Sequence, residues 1–295
     1  MKQDFCDLHV HTNRSDALRI WTPEKVLLRA KSLGIMHVAI SDHNIVNEEW
    51  QEQSLQTGVD VISSTEMSSR LILGENQFEP HIVGFRVNPK ADTIRQIVKK
   101  HQQSRKGYLM AMLNGLRADP EDPIDISYEE LTERNPDSFS IGRVAIGEII
   151  IERKKAKDMQ EVYARRLGRE SGAPSYVDSK TYLKYENVEL VIQAIIQSGG
   201  LAIAAHLPYY GMTEEEEYQF LSIVKDTAGH LAGMETEYAG YPKSTVDRLK
   251  RLAKYFGMVE STGSDFHGYE GSDLLQGNPE IYKTMQSVWE KYHYG

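Results

Sequence analysis

Short apolar runs alternate along this chain with amphipathic segments of helical period. Seven of the runs have the length of β-strands, and they occupy residues 5–10, 37–41, 59–63, 81–85, 201–205, 233–238 and 259–263. Helical patterns lie between several of them and close at a glycine, at residues 22–34, 187–198 and 242–256. Strands that alternate with helices across short links predict a parallel sheet, which we expect to close into a barrel.

Residues 91–178 interrupt this alternation, because their pattern is helical almost throughout. Ser127 and Glu130 have the spacing of a capping box, which predicts the start of one helix. The other helices of this segment are predicted at residues 92–116, 141–153 and 158–167. The chain therefore divides into a first barrel part, a helical insertion and a second barrel part, at residues 1–90, 91–178 and 179–295.

Composition narrows the classes of partner. A chain of 295 residues is long enough for one large barrel with an insertion. The net charge of −9 argues against the broad basic face that duplex nucleic acid requires, but bound metal ions would still allow a small phosphorylated ligand to approach. The locally basic segment 153–169 is interpreted as a solvated helix face, with substrate binding as the alternative.

The chain shows no pattern of a signal peptide, and no apolar run approaches the ~20 residues that span a bilayer. The single cysteine, Cys6, lies in a predicted strand, so we expect it to be buried rather than reactive. These features predict a cytoplasmic protein without a membrane partner. The oligomeric state stays open.

Candidate chemistry begins in the first strand, with His9 and His11 two positions apart. Residues i and i+2 of a strand point to the same side, so both imidazoles would converge, with Asp16 close by. Imidazole and carboxylate together are good ligands for zinc, manganese or iron(II). The sequence therefore predicts a metal site next to this strand.

Polar residues of the same types lie at the ends of other predicted strands. They are Asp42, His43, Glu66, His81, His206, Asp265 and His267. In parallel barrels the site lies at the carboxyl ends of the strands, which would gather most of them, whereas His81 begins its strand. So many ligand types in one pocket predict a multinuclear metal site. The remaining histidines, His37, His101, His230 and His293, are interpreted as structural or surface residues.

Several motifs occur in order along nearly the whole chain. They read DLHVHTNRSD, ISDHN, STEMSS, HIVGF, SGGLAIAAH and GSDFHG. This set resembles the polymerase and histidinol phosphatase (PHP) superfamily. The helical insertion is most similar to that of its small phosphoesterases, which act on nucleotides such as 3′,5′-bisphosphates, some of them also trimming RNA ends.

The resemblance implies up to three divalent metals, which would be manganese, zinc or iron. The implied ligands are His9, His11, Glu66 and Asp265 for the first metal; Glu66, His81 and one further histidine for the second; and Asp16, His43 and His267 for the third. We predict Asp265, His206 and Arg143 as the catalytic residues.

Two segments depart from the pattern of the superfamily. Where relatives have Gly-Arg-Pro-His, this chain has Gly142-Arg143-Val144-Ala145, so we expect the second metal site to lack a ligand at Ala145 and to be weaker. Where relatives have His-Pro-Gly-Arg, the chain continues from His206 as Leu-Pro-Tyr-Tyr, without the arginine.

Individual roles stay open at this level. His206 would protonate the leaving oxygen, contact phosphate or fill the vacant coordination position, or else it is simply buried. Arg143 and Arg14 either bind phosphate or form surface ion pairs. Asp42 orients His43 or caps a helix. Tyrosines 209, 210 and 241 are candidates for stacking on a base.

The expected protein is a distorted (β/α)7 barrel of PHP type with a helical insertion. The expected activity is metal-dependent hydrolysis of a phosphomonoester, first of a nucleotide, by metal-activated hydroxide. One alternative is a degenerate module that binds metal or nucleotide without turnover. Others are an exonuclease that trims RNA or DNA ends, and an amidohydrolase that acts on a substrate without phosphate.

Overall fold

The computed structural model describes residues 4–136, 138 and 140–294. One seven-stranded sheet forms the centre, in the order β1-β2-β3-β6-β7-β8-β9. Its strands are β1 (Phe5–Val10), β2 (Ile35–Ile40), β3 (Asp60–Ser68), β6 (His81–Phe85), β7 (Leu201–Ala204), β8 (Ala232–Tyr238) and β9 (Val259–Gly263). A small hairpin, β4 (Leu71–Leu73) and β5 (Asn76–Phe78), was not predicted.

Helices surround the sheet and fill the segment between β6 and β7. They are α1 (Pro23–Ser32), α2 (Trp50–Thr57), α3 (Asp92–Arg117), α4 (Tyr128–Arg134), α5 (Arg143–Glu152), α6 (Met159–Val162), α7 (Ser179–Tyr182), α8 (Val188–Gln197), α9 (Glu214–Ala228), α10 (Lys243–Phe256) and α11 (Pro279–Tyr294). The expected helix at 158–167 is divided, since α6 continues as the π-helical turn Tyr163–Leu167. Within the described residues, no helix is both long and apolar enough to cross a membrane.

The helix ends follow the local signals of the sequence. The Thr22 hydroxyl accepts a hydrogen bond from the Lys25 amide at the start of α1. The Ser127 hydroxyl accepts one from Glu130 at the start of α4. These caps satisfy amide groups that the helices themselves leave unpaired.

The prediction of an all-parallel sheet is wrong at β6, which runs antiparallel to both β3 and β7. A parallel connection needs a crossover of a dozen or more residues, usually a helix, whereas the β4–β5 hairpin fills the space between β3 and β6. The reversal places the first residue of β6, His81, at the end of the barrel where its neighbours finish. This explains the residue that did not fit the sequence pattern.

The sheet closes almost completely between β1 and β9. The Asp265 amide donates to the His9 carbonyl at 2.8 Å, and the His11 amide donates to the Phe266 carbonyl at 3.0 Å. Apolar side chains fill the space inside the sheet and between sheet and helices, and Cys6 is fully buried among them. The expected distorted seven-stranded α/β barrel is confirmed.

The segment between β6 and β7 has an apolar core of its own. Its centre is formed by Met112, Leu116, Ile146 and Ile150. Two cations of the basic stretch 153–169 form ion pairs within this unit. Arg153 pairs with Glu130, and the buried Arg166 pairs with Asp119 and Asp122 of the loop before α4. Arg166 thus belongs to the interior of the insertion, whereas the other cations of the stretch are exposed, as expected of a solvated helix face.

Candidate metal centre

The side chains predicted as metal ligands meet at one end of the barrel. His9 projects from β1, and His11 directly follows this strand on the same side, as their spacing requires. Glu66 projects from β3 and His81 from the start of the antiparallel β6. His43 follows β2, His206 follows β7, and the Asp265–His267 pair follows β9.

Glu66 lies at the centre of the cluster and is fully buried. Its Oε1 atom is 2.9 Å from His81 Nδ1, 2.9 Å from His206 Nε2 and 3.4 Å from His9 Nε2. Its Oε2 atom is 2.7 Å from His43 Nδ1 and 3.3 Å from His11 Nε2. One carboxylate is therefore shared by five imidazoles, which is the arrangement expected of a bridging ligand.

Three groups of ligand atoms are close enough to hold metal ions. They are His9, His11, Glu66 and Asp265; His43, Glu66 and His81; and His11, His43 and His267. The first equals the first predicted ligand set, and the other two overlap with the second and third sets. Asp16 lies beside the third group, with its Oδ2 3.9 Å from His43 Nε2.

Buried polar atoms in this cluster lack hydrogen-bond partners among the described residues. They are His9 Nε2, His11 Nε2, Asp16 Oδ1, His43 Nδ1, Glu66 Oε2, His206 Nδ1 and Asp265 Oδ1. Some of these atoms nevertheless lie close to one another. His11 Nε2 and Asp265 Oδ1 are 2.9 Å apart, but they are not aligned for a hydrogen bond. Unpaired buried polar atoms are costly, and those of His9, His11, His43, Glu66 and Asp265 belong to the groups that could hold divalent metal ions.

Opposing charges set the pKa values of the cluster. Burial opposes ionisation of Glu66, but the imidazoles of His81 and His43 hold the pKa of this carboxyl well below its usual range. Burial opposes protonation of His11, but Asp265 and Glu66 raise the pKa of its imidazole to about 9. Ionised carboxylates packed against imidazoles attract any cation, and metal ions would take the place of the protons.

Neighbouring groups fix which histidine nitrogen faces the cluster. Glu235 Oε1 is 2.7 Å from His9 Nδ1, and the carbonyl of Asp265 is 2.7 Å from His267 Nδ1, so each Nε2 is left for a ligand role. Sequence reasoning missed Glu235. Its signal was a carboxylate inside the buried strand β8, where a charge needs a partner.

Asp42 differs from its expected roles. Its carboxylate accepts hydrogen bonds from the Thr12 amide, the Thr12 hydroxyl and the Ser15 hydroxyl. It therefore fixes the loop that follows β1, between His11 and Asp16.

Ala145 carries no ligand atom at the position that the motif aligns with a histidine. Its side chain is buried in the apolar core of the insertion. His206 lies beside the second group instead, because His206 and His81 contact the same oxygen of Glu66 and their rings are 5.2 Å apart. The backbone of His206 has a φ of 27°, a strained value typical of functional sites.

Cationic side chains reach the cluster from the insertion. Arg105 of α3 lies 3.8 Å from Asp16, and sequence reasoning missed it. Arg143 packs over the Tyr163 ring at 5.3 Å, and its guanidinium donates to the Leu167 carbonyl. The insertion contacts the barrel closely here, since a Cβ atom on Gly142 would lie 1.6 Å from Asp16. Arg14, by contrast, forms an ion pair with Glu49.

The fold and the site together define an α/β barrel with a cluster of candidate metal ligands at its mouth. No family model matches the chain. The 5′-3′ exoribonuclease of Haemophilus influenzae is 26% identical over 296 residues, covering 97% of this chain and 98% of that protein.

Solved structures of similar fold include an inferred metal-dependent phosphoesterase from Bifidobacterium adolescentis, with 22% identity and a TM-score of 0.79, covering 96% of this chain and 95% of that one. An amidohydrolase from Chromobacterium violaceum, solved with sulfate and without metal, also has 22% identity and a TM-score of 0.79, with 96% of each chain covered. The chain thus has the barrel fold of these proteins.

Proposed function

We propose that the protein is a metal-dependent phosphoesterase of PHP type that hydrolyses a phosphomonoester, with a nucleotide such as a 3′,5′-bisphosphate as substrate. The observation that carries the proposal is the buried carboxylate of Glu66 shared by five imidazoles, with unpaired ligand atoms converging around it. The relatives named above as phosphoesterase and exoribonuclease support the choice of a phosphate ester.

The residues present suit divalent metals, which when bound would supply Lewis acidity toward the phosphate and a hydroxide nucleophile near neutral pH. Glu66 would bridge, and His206 would complete the second site in place of the histidine that relatives carry in the insertion. Tyr238 donates a hydrogen bond to Asp265 Oδ2 at 2.8 Å and so orients this carboxylate, which we assign to the first site and to catalysis.

The cations of the insertion would bind the phosphate group. Burial opposes ionisation of Asp16, but the charge of Arg105, those of two neighbouring histidines and that of Arg143 lower the pKa of this carboxyl. Guanidinium groups donate to phosphate oxygens in fixed geometry and stabilise the negative charge that spreads over them in the transition state.

Removal of metal tests this proposal. Chelated protein should release no phosphate from nucleoside 3′,5′-bisphosphates, nucleoside monophosphates or glycerol phosphate, and added Mn²⁺ or Zn²⁺ should restore release from at least one of them. Full activity of the metal-free protein would contradict the metal requirement. Metal binding without turnover of any ester would favour the degenerate module.

A second candidate is an exoribonuclease that trims 5′ ends, and the Haemophilus relative is the observation that favours it. A 5′-phosphorylated RNA oligonucleotide, incubated with Mn²⁺ and resolved by gel, separates the two. Stepwise shortening from the 5′ end would support the exonuclease, whereas release of phosphate from an intact oligonucleotide would support the phosphatase.

A further inference from the structure

Three tyrosines form a cluster on the rim of the barrel mouth. Tyr209 lies in the short 3₁₀ turn Leu207–Tyr210 that follows β7, Tyr238 ends β8, and Tyr241 lies in the loop before α10. The rings of Tyr238 and Tyr241 stack with their centroids 4.7 Å apart. The Tyr209 centroid is 5.4 Å from that of Tyr238 and 5.9 Å from that of Tyr241.

This cluster contacts the candidate metal centre directly. The Tyr238 hydroxyl bonds to Asp265, and the Tyr209 ring centroid is 6.1 Å from that of His206. A substrate whose phosphate lies at the metal centre would therefore place an adjoining ring system over the tyrosines.

One tyrosine of the cluster is largely open to solvent. Tyr209 is 62% exposed and is backed by the two partly buried rings of Tyr238 and Tyr241. Tyr210 has a different role, because its hydroxyl donates to the Ala205 carbonyl and accepts from the His81 amide. Of the tyrosines considered from sequence, Tyr209 and Tyr241 belong to the cluster, and Tyr238 joins them.

The charges around the cluster favour an uncharged ligand. The negative charges of Glu235 and Asp265 interact electrostatically with the hydroxyl groups of Tyr238 and Tyr241. The guanidinium of Arg248 is held by two contacts with Glu217. A neutral planar ring suits these surroundings better than a second phosphate, for which Arg105 and Arg143 lie beside Asp16.

We propose that Tyr209, supported by Tyr238 and Tyr241, stacks on the base of the substrate and so selects nucleotides over phosphate esters without a base. This inference rests on the phosphoesterase function proposed above. Stacking tolerates different bases, because every base has a π face, so the surface would not discriminate strongly between purines.

The first test compares two substrates of one enzyme, a nucleoside monophosphate and glycerol phosphate. Tyr209→Ala should lower the ratio of their kcat/KM values about tenfold, the effect expected when a base loses an aromatic partner. Tyr209→Phe should keep the ratio. Tyr255→Ala, at an exposed tyrosine of α10 that contacts Tyr218 and Phe256, is the matched control and should leave both rates unchanged. An equal loss on both substrates would overturn the inference.

A second test does not need turnover. Stacking quenches the fluorescence of 2-aminopurine, so wild-type protein should quench 2-aminopurine riboside monophosphate and Tyr209→Ala should not. If the wild type hydrolyses no ester but shows this difference, the phosphoesterase function fails and the base-binding surface stands. Equal quenching by both proteins would refute the surface, whatever the activity.

Discussion

At the residue scale, the centre depends on which atom of each side chain stays free for a ligand. Glu235 and the Asp265 carbonyl occupy the Nδ1 atoms of His9 and His267, while Glu66 and Asp265 are held ionised by the surrounding imidazoles. Removal of one of these groups leaves its neighbours with uncompensated charge. Single substitutions should therefore damage metal binding more than folding.

Asp265→Asn and His9→Ala should each lower turnover by orders of magnitude, because the loss of a ligand disrupts the catalytic unit as a whole. Phosphate release, metal content and a thermal melt of the same preparations would check this. His37→Gln is a matched control, since His37 lies outside the site and bonds to Asp60. Near-wild-type rates in either ligand variant would contradict the assignment.

The second metal position should depend on His206 rather than on residue 145. His206→Ala should lower the metal content by about one ion per chain, as measured by elemental analysis after dialysis. Ala145→His should not raise it, because the added imidazole would enter the packed core of the insertion and cost about 1–3 kcal/mol of stability. A rise in metal content on Ala145→His would restore the interpretation drawn from the motif.

Arg143 should act on substrate and not on metal. Arg143→Ala should raise KM or lower kcat/KM for phosphorylated substrates about tenfold or more, since hydrogen bonds to charged groups contribute ~1.5–3 kcal/mol. Arg134→Ala is the control, because Arg134 pairs with Glu130 and Glu152 within the insertion. Unchanged kinetics with unchanged metal content would leave Arg143 a packing role only.

The sequence predicted the candidate ligands well because ligand chemistry depends on residue type and on a strand period of two. Glu235 was missed although a carboxylate inside a buried strand was a local signal for it. Arg105 was missed because its contact with Asp16 spans a long sequence separation that no local pattern reports.

At the element scale, the reversed strand β6 determines how the insertion reaches the mouth. β6 ends at the far side of the barrel, so the chain must return along its outside. The 26 residues of α3 cover about 39 Å and make this return. Ile94 and Ile97 pack on the barrel core, Arg105 reaches Asp16, and Met112 enters the core of the insertion.

The sequence predicted α3 nearly to the residue, because its amphipathic period is long and continuous. It did not predict the direction of β6, because the strand pattern is the same in either direction. Only the short connection after β3 carried that information, and its hairpin was not recognised. The local sequence pattern thus predicted the type and the ends of α3, whereas the direction of β6 depended on the connection between β3 and β6.

His101 holds the middle of α3 against the barrel and should make stability depend on pH. Its Nδ1 atom is 2.6 Å from Asn44 Oδ1. Burial lowers the pKa of its imidazole from 6.5 to about 4; Glu186 opposes this shift, whereas the positive charges of Arg105 and Lys100 add to it. Between these values the unfolded chain binds a proton that the folded one does not, so stability should fall as pH drops from 6.5 toward 4.

His101→Gln should remove this contribution to the pH dependence, while lowering stability at pH 7 through the loss of a buried contact. Denaturant titrations at pH 7, 6 and 5 on both proteins would measure the difference. His230→Gln is the control, because His230 is exposed. Parallel stability curves for wild type and His101→Gln would contradict the role of His101.

At the scale of the whole molecule, the candidate ligands come from both ends of the chain. Metal bound by His9, His11 and Asp265 would join β1 to the segment after β9 and would bind the folded state only. Metal should therefore raise the free energy of unfolding by ~2.7 kcal/mol when free metal is a hundredfold above its Kd, and metal-saturated protein should melt at a higher temperature than chelated protein. Calorimetry with Mn²⁺ and with Ca²⁺ as a weaker competitor would measure this, and identical melting temperatures would contradict it.

The seam between β1 and β9 also bears on how fast the barrel forms. The Ser264 amide pairs with the Asp7 carboxylate across 257 positions of the chain, so this contact has a very high sequence separation. Contacts of this kind form slowly, since the loop must close before they contribute. The two halves of the barrel would therefore assemble first and join last. The same seam that brings the ligands together is thus expected to make the site one of the last regions to become native.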